Sequence, residues 1–266
     1  MKFRFLATDL DGTLLTSDKA ITPRTLEVLV GAQERGLTVI LASGRPLHSI
    51  LPFARQLELN KYRGYVIAYN GSVIWDCAAG KAIKEQTIPQ NLIPQLAAMV
   101  PAGFHIHGYK EGSIVVQGVP DEWSRYIARA NRMPLLETGN FVKTITEPQH
   151  KCIITGSPRR LWHLEKSISK RFENCLSVCR SETFLLEIMP KGVDKAEALQ
   201  ELLSLLGGKA EELLCCGDGY NDLGMLRLAG LSCATRNANR SVRQVASFVT
   251  TSNDRDGVAY AVERFC

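Results

Sequence analysis

The sequence predicts an α/β protein, a doubly wound parallel sheet that carries an inserted α+β segment. Short apolar runs alternate with amphipathic helical stretches over the first 75 residues, and the same alternation resumes after about residue 190. Two acidic loops, Asp9 to Asp11 and Asp218 to Asp222, each close one of these apolar runs, and the carboxyl ends of parallel strands are where open α/β sheets bind ligands. From about Ala82 to Glu187 apolar and polar residues alternate instead, the pattern of half-buried strands.

Phe3 to Thr8 reads as the first strand. Thr22 followed by Pro23 is an N-cap with proline at the first helical position; Leu26, Leu29 and Val30 form the stripe, and Gly36 stops the helix. Leu37 to Ala42 is almost wholly apolar, as in a strand covered on both faces. The helical stretch from Ser49 to Leu57 is interrupted by Pro52, and Tyr65 to Tyr69 gives a third strand. Asn70-Gly71 is a strong turn signal, with Ser72 to Asp76 returning as a hairpin strand. In the middle segment Phe104–His107, Ser113–Val116, Cys152–Thr155 and Leu176–Cys179 read as strands, with helices near Asp121–Ala130 and Pro158–Phe172. Beyond it, Asp194 and Glu197 form a capping-box-like pair. Leu199, Leu202, Leu203 and Leu206 make a stripe, and Gly207-Gly208 ends that helix. Leu213–Cys216, Leu231–Ala234 and Phe248–Thr250 are strands, and Asn221–Leu228 is a helix. The expected division is a discontinuous core of residues 1–81 and 188–266 around an α+β insert of residues 82–187.

Composition narrows the function classes. The chain has 266 residues, 45% apolar and 22% charged, ordinary globular values that exclude a disordered tail or a fibre. Its net charge of +5 is spread along the sequence, which favours small anions and gives no basic stripe for nucleic acid. The longest uncharged apolar stretch, Tyr65 to Trp75, is far short of the roughly 20 residues a membrane helix needs. Phe3-Arg4 followed by an acidic motif does not read as a signal peptide. The eight cysteines form neither C-x-x-C pairs nor a zinc spacing, and Cys215 and Cys216 read as reduced core thiols. A cytoplasmic location is expected from that usage.

The chemistry resides in four places. Asp9-Leu10-Asp11-Gly12-Thr13 follows the first strand; two acids at i and i+2 of an extended chain point the same way and repel unless a cation or proton separates them. Gly217-Asp218-Gly219-Tyr220-Asn221-Asp222 closes another buried strand, and its acids join the first pair if the strands are neighbours. Oxygen-only ligands of this kind suit magnesium; no twelve-residue loop of the EF-hand type favours calcium. Ser43-Gly44-Arg45 offers hydroxyl and backbone donors to an anion, a plain helix cap being the competing reading. Lys195 lies in the first turn of the helix opened by Asp194, where the macrodipole disfavours a cation by about 0.3–1 kcal/mol unless an anion sits beside it. Lys191 competes with it on spacing alone. Other residues have plainer readings. His105 and His107 share one strand face, solvated unless it lines a pocket. Arg159, Arg160, Lys166, Lys170 and Arg171 read as a solvated helix surface, and Trp75, Trp123 and Trp162 as core or interface aromatics. Arg45 reads as an ordinary helix-start arginine that touches substrate only in the sharper reading.

Together, D-x-D-G-T, S-G-R, a lysine opening a late helix and G-D-G-x-N-D resemble the haloacid dehalogenase superfamily of phosphatases. Asn70-Gly71, Gly192-Val193-Asp194-Lys195, Asn237-Ala238 and Asp256-Gly257-Val258 resemble its Cof-like branch, whose members carry a large α/β cap. The resemblance covers both core segments; the middle matches in length and strand pattern only. It breaks at Thr235-Arg236, where the family more often has Met-Gly. It implies Asp9 as the nucleophile that forms an aspartyl-phosphate, and Asp11 as general acid and base that also offers its backbone carbonyl to magnesium. It implies Ser43, Gly44 and Asn221 on phosphoryl oxygens, Lys195 rather than Lys191 as the neutralising cation, and Asp218 and Asp222 as metal residues, the latter through water. The expected activity is magnesium-dependent hydrolysis of small phosphorylated metabolites, with the insert as a lid and no nucleic-acid or membrane partner. A phosphomutase of the same superfamily and a receiver-like phosphoswitch are the alternatives. Neither the substrate nor the oligomeric state is legible.

Overall fold

In the computed structural model, which describes residues 3–266, contacts divide the chain into two units. Met1–Lys84 with Asp194–Cys266 form one, and Glu85–Val193 the other. The first unit opens with strands β1 (Phe5–Thr8), β2 (Thr38–Ala42), β3 (Tyr65–Ala68), β4 (Val73–Asp76) and β5 (Lys81–Glu85), and helices α1 (Pro23–Glu34) and α2 (Leu47–Gln56). The second unit holds α3 (Ile93–Ala98), β6 (His105–Lys110), β7 (Ser113–Gln117), α4 (Glu122–Asn131), β8 (Leu135–Thr138) and α5 (Phe141–Thr144). It continues with β9 (Cys152–Thr155), α6 (Pro158–Arg171), β10 (Leu176–Glu182) and β11 (Leu185–Pro190). The chain then returns to the first unit with α7 (Lys195–Leu205), β12 (Leu213–Gly217), α8 (Leu223–Leu228) and β13 (Leu231–Ala234). Last come α9 (Arg240–Val245), β14 (Phe248–Val249) and α10 (Gly257–Phe265).

In the first unit the strand order is β14-β13-β12-β1-β2-β3-β4-β5. The ladders from β14 to β3 are all parallel, and β4 returns antiparallel to β3. Every residue of β1 and β12 is buried, which explains their unbroken apolar runs. The register pairs Thr8 with Cys216, so the residues that follow both strands emerge side by side at one end of the sheet. Helix α7 packs Ala198, Leu199, Leu202 and Leu203 against Phe5, Ala7, Ile40, Leu213 and Cys215; each buried leucine contributes about 1.5–3 kcal/mol. Caps follow the sequence cues: Thr22 accepts from the Thr25 amide ahead of Pro23, and Asp194 accepts from the Ala196 amide.

The second unit has a six-stranded sheet, β10-β11-β9-β6-β7-β8, antiparallel except for the β7–β8 pair. One face packs Ile106, Val115, Cys152, Ile154, Leu186 and Ile188 against Leu96 of α3, Phe141 of α5, and Leu161, Leu164 and Ile168 of α6. On the opposite face His107 is fully buried, its Nε2 2.9 Å from Ser124 Oγ of α4 and its Nδ1 3.2 Å from the Ile153 carbonyl. Burial holds this ring down at about 4. His107 is therefore a packed core histidine, not part of a solvated face, while His105 keeps 19% of its side chain exposed. Trp162 is also no core aromatic: it is 41% exposed, with Lys166 Nζ 3.6 Å above its ring.

Several boundaries differ from the sequence expectation. The units divide at Lys84/Glu85 and Val193/Asp194 rather than at 81/82 and 187/188, because β5 belongs to the large sheet and β11 pairs with β9 and β10 out to Pro190. Helix α2 runs through Pro52; the carbonyl left without a helical donor is that of His48, and both residues are exposed. The Asn221–Leu228 helix begins instead with a short 3-10 turn, Tyr220–Asp222. All eight cysteines are free thiols, with Cys215 and Cys216 fully buried. Among the described residues, no helix is long and apolar enough to cross a membrane.

Candidate active site

The side-by-side exits of β1 and β12 bring the two acidic loops together. Asp9, Asp218 and Asp222 each present a carboxylate oxygen within 4.8 Å of the others. Lys195 enters from the first turn of α7 with its ammonium fully buried, 2.6 Å from Asp9 Oδ1 and 2.8 Å from Asp222 Oδ1. The Gly71 turn lets α7 start this close: Gly71 has φ +113°, and a Cβ there would stand 2.5 Å from the Asp194 carbonyl oxygen. Asp222 spends its other oxygen on the amides of Asp218 and Gly219, at 3.0 and 2.8 Å, so one buried carboxylate shapes its own loop and grips Lys195. Asp218 in turn accepts the Thr13 hydroxyl at 2.8 Å.

Three carboxylates around one ammonium leave two negative charges uncompensated. Burial therefore pushes Asp9 up to about 8: Lys195 pulls the other way, but the charges of Asp222 and Asp218 add to the rise. Burial, with Asp222, likewise lifts Asp218 to about 6, the Thr13 hydrogen bond opposing. Burial works against the Lys195 ammonium, but Asp222 and Asp9 hold it charged, well above its ordinary range. An all-oxygen, doubly negative cluster of this kind fits a small, hard divalent cation.

Asp11 lies outside this cluster. The i, i+2 expectation that both acids point the same way fails because the extended strand ends at Thr8. The chain then turns, with Gly12 at φ +77° and the Thr13 amide donating to the Leu10 carbonyl. The Asp11 carboxylate instead takes Arg45 Nε at 2.6 Å and Nη2 at 2.7 Å, plus Lys19 Nζ at 2.7 Å. Burial raises its pKa, but these two cations overcome that and hold it below the usual carboxylate range. Arg45 is itself only 7% exposed, with its guanidinium 5.8 Å from the Phe53 ring centre. It is thus a partner of Asp11 rather than an ordinary helix-start arginine.

Ser43 is buried at the end of β2, its hydroxyl accepting from the Arg45 amide at 3.2 Å. Gly44 faces the side chain of Asn70, which would stand 3.0 Å from a Cβ placed there. Asn221 donates to Asn70 Oδ1 at 3.1 Å, so Asn70 ties the Ser43-Gly44 turn to the second acidic loop. Tyr69, Asn70 and Gly71 all have positive φ, at 51°, 58° and 113°, a strained run of the sort that persists where surrounding structure enforces it. Sequence reasoning used Asn70 as a turn signal and as part of the Cof-like resemblance, gave it no role in the site, and passed over Thr13 and Lys19 as site residues. An uncharged residue in a loop gives no local sign that tertiary structure will carry it to a cluster. The competing lysine, Lys191, is exposed, and its amide donates to the Cys175 carbonyl of the second unit.

Comparisons with known proteins place the chain in a family. A family model described as haloacid dehalogenase-like hydrolase matches residues 6–262. The crystal structure of a haloacid dehalogenase-like hydrolase from Bacteroides thetaiotaomicron is 37% identical, with both chains covered completely and a TM-score of 0.96. A pyridoxal phosphate phosphatase of Escherichia coli is 28% identical over 270 residues, 97% of each chain. A 5-amino-6-(5-phospho-D-ribitylamino)uracil phosphatase of Bacillus subtilis is 25% identical over 264 residues, 98% of this chain and 95% of that one.

Proposed function

The chain belongs to the haloacid dehalogenase-like hydrolases and is a phosphoric monoester hydrolase, and from that premise we propose that it hydrolyses small phosphorylated metabolites through a phosphoryl group carried on Asp9. The observation that carries the reading is the fully buried Lys195 ammonium bonded to Asp9 and Asp222, a cation placed to neutralise charge at a reacting carboxylate. The substrate class rests on the relatives, whose names specify two chemically different small phosphomonoesters.

Lys195 grips Asp9 Oδ1, so Oδ2 is the oxygen for in-line attack on phosphorus. That attack forms an Oδ2–P bond and breaks the bond from phosphorus to the ester oxygen. Asp11 delivers the proton the departing alcohol needs, then takes a proton from the water that cleaves the Asp9 phosphoryl bond. Under Arg45 and Lys19 the Asp11 carboxylate is in its base form, so to act as an acid it must first leave Arg45 and take up a proton from solvent, and that proton then goes to the leaving oxygen. The Ser43 hydroxyl, the Gly44 amide and Asn221 orient the phosphoryl oxygens. Asp9 and Asp218 with the Asp11 carbonyl, and Asp222 through water, would hold magnesium, which would supply the charge neutralisation that the acidic cluster lacks.

Phosphate release from a panel of small phosphomonoesters, with magnesium and with chelator, tests the reading. Magnesium-dependent release that Asp9→Asn lacks is the expected result. Stable labelling of Asp9 with no phosphate release in the absence of an acceptor would favour the phosphomutase alternative, and turnover that survives Asp9→Asn would sink the mechanism.

A further inference from the structure

Thr235 and Asn237 touch neither of the two acidic loops through their acids, but both hold the backbone of the first. The Gly12 carbonyl accepts Asn237 Nδ2 at 2.7 Å and Thr235 Oγ1 at 3.2 Å. The same short segment reaches the other acidic loop through its main chain: the Asn239 amide donates to the Asp218 carbonyl at 3.2 Å and the Thr235 amide to the Gly217 carbonyl at 3.3 Å. It is anchored behind, with Asn237 Oδ1 accepting the Asn253 amide at 3.0 Å while Asn253 Nδ2 donates to the Leu15 carbonyl at 2.9 Å. The two loops meet at the residue so held, since a Cβ on Gly12 would lie 2.4 Å from Asp218 Oδ2.

We propose that residues 235–239 form a brace that fixes the spacing of the two acidic loops, and that Thr235 and Asn237 thereby set the affinity of the site for its divalent cation. The proposal rests on the magnesium reading above. Neither side chain bonds to a carboxylate of the cluster, so both are positioning residues. Thr235 is buried, and it is one of the two positions where the family resemblance breaks. Its hydroxyl is thus a second latch on Gly12 that a methionine side chain could not supply.

Calorimetric titration of the full chain with magnesium alone, paired with the melting temperature of the metal-free protein, tests this. Thr235→Val and Asn237→Ala are each expected to weaken magnesium binding about fivefold, one hydrogen bond's worth, and the double variant more. Asn253→Ala, which removes the Leu15 contact but leaves the Gly12 carbonyl held, is expected to lower the melting temperature with magnesium affinity unchanged. Wild-type affinity in both Gly12-latch variants would overturn the brace, as would losses that track melting temperature equally in all three variants. If the wild-type chain binds no magnesium, the metal reading fails and the inference fails with it; if it binds and the latch variants match it, the brace alone fails.

Discussion

Two lysines are buried among the described residues, one in each unit, and their surroundings differ in stoichiometry. Lys151 in the second unit meets Glu187 at 3.2 Å, and Ser181 donates to the same glutamate oxygen. Within that pair one ammonium faces one carboxylate. Lys195 in the first unit meets two carboxylates with a third close by, and the charges do not match. A balanced buried pair explains itself as structure. An unbalanced one stores repulsion that folding alone leaves in place, and this marks it as a site for something the chain does not carry.

The contrast can be broken or sharpened by experiment. The largest effect is expected from Asp9→Asn: turnover should fall at least about 10³-fold, as when an attacking group is removed. Above about pH 8, where Asp9 is ionised, the metal-free variant should melt higher than the parent because one buried negative charge is gone, and a lower melting temperature there would mean that the acidic cluster stores no repulsion. Next, Lys151→Met should cost about 3–5 kcal/mol in a urea melt by stranding Glu187, with most of it recovered in Lys151→Met/Glu187→Met. Failure of the double variant to recover would show that the balanced pair is more than structure.

Acid should pull the two units in opposite directions. His107 holds a pKa of about 4 against an ordinary 6.5, so the unfolded chain binds its proton first. The stability this histidine contributes is complete above about pH 6.5 and is lost as pH falls toward 4, about 3 kcal/mol in all. Asp9 is the reverse case: raised from 3.8 to about 8, it binds a proton more readily when folded, so its own contribution to the metal-free first unit grows as pH falls below 8, against the loss at Asp11, whose pKa is lowered. Hydrogen exchange followed by unit across pH 4–8 reads both trends, and parallel behaviour would refute the assignment. The smallest effect is magnesium itself. At a tenfold excess over Kd it should stabilise the first unit by about 1.4 kcal/mol, with no change in exchange at His107.

What the sequence disclosed follows the same division. The central strands β1, β2 and β12 were legible because burial on both faces demands unbroken apolar runs, and the register Thr8–Cys216 then carries the two acidic loops together. Strand β5, with exposed residues alternating along it, and β8, whose Leu136 is 48% exposed, lie at sheet edges. Edges need no apolar signature, and unlike the edge strands β10 and β14, which kept a readable apolar run, these two lacked one, so neither was read. Strand β11 went unread for a different reason: its buried run stops at Pro190, next to a turn. In the site, carboxylates and the lysine announce themselves by charge and spacing. Asn70, Thr13, Thr235 and Asn237 do not, because each acts on a partner distant in sequence, and hydrogen bonds of that kind leave no periodicity.

The order in which these pieces leave the ribosome follows from one register. β1 pairs on one side with β2, made soon after it, and on the other with β12, which begins about 200 residues later. At about 5–20 residues per second that edge waits roughly 10–40 s for its partner, and an open strand edge invites pairing with another chain. All six strands of the second unit are synthesised within this interval. A chain stalled at Val193 therefore holds a complete second sheet but one carboxylate of the acidic cluster and no Lys195; its capacity for phosphoryl chemistry arrives with the final quarter of translation.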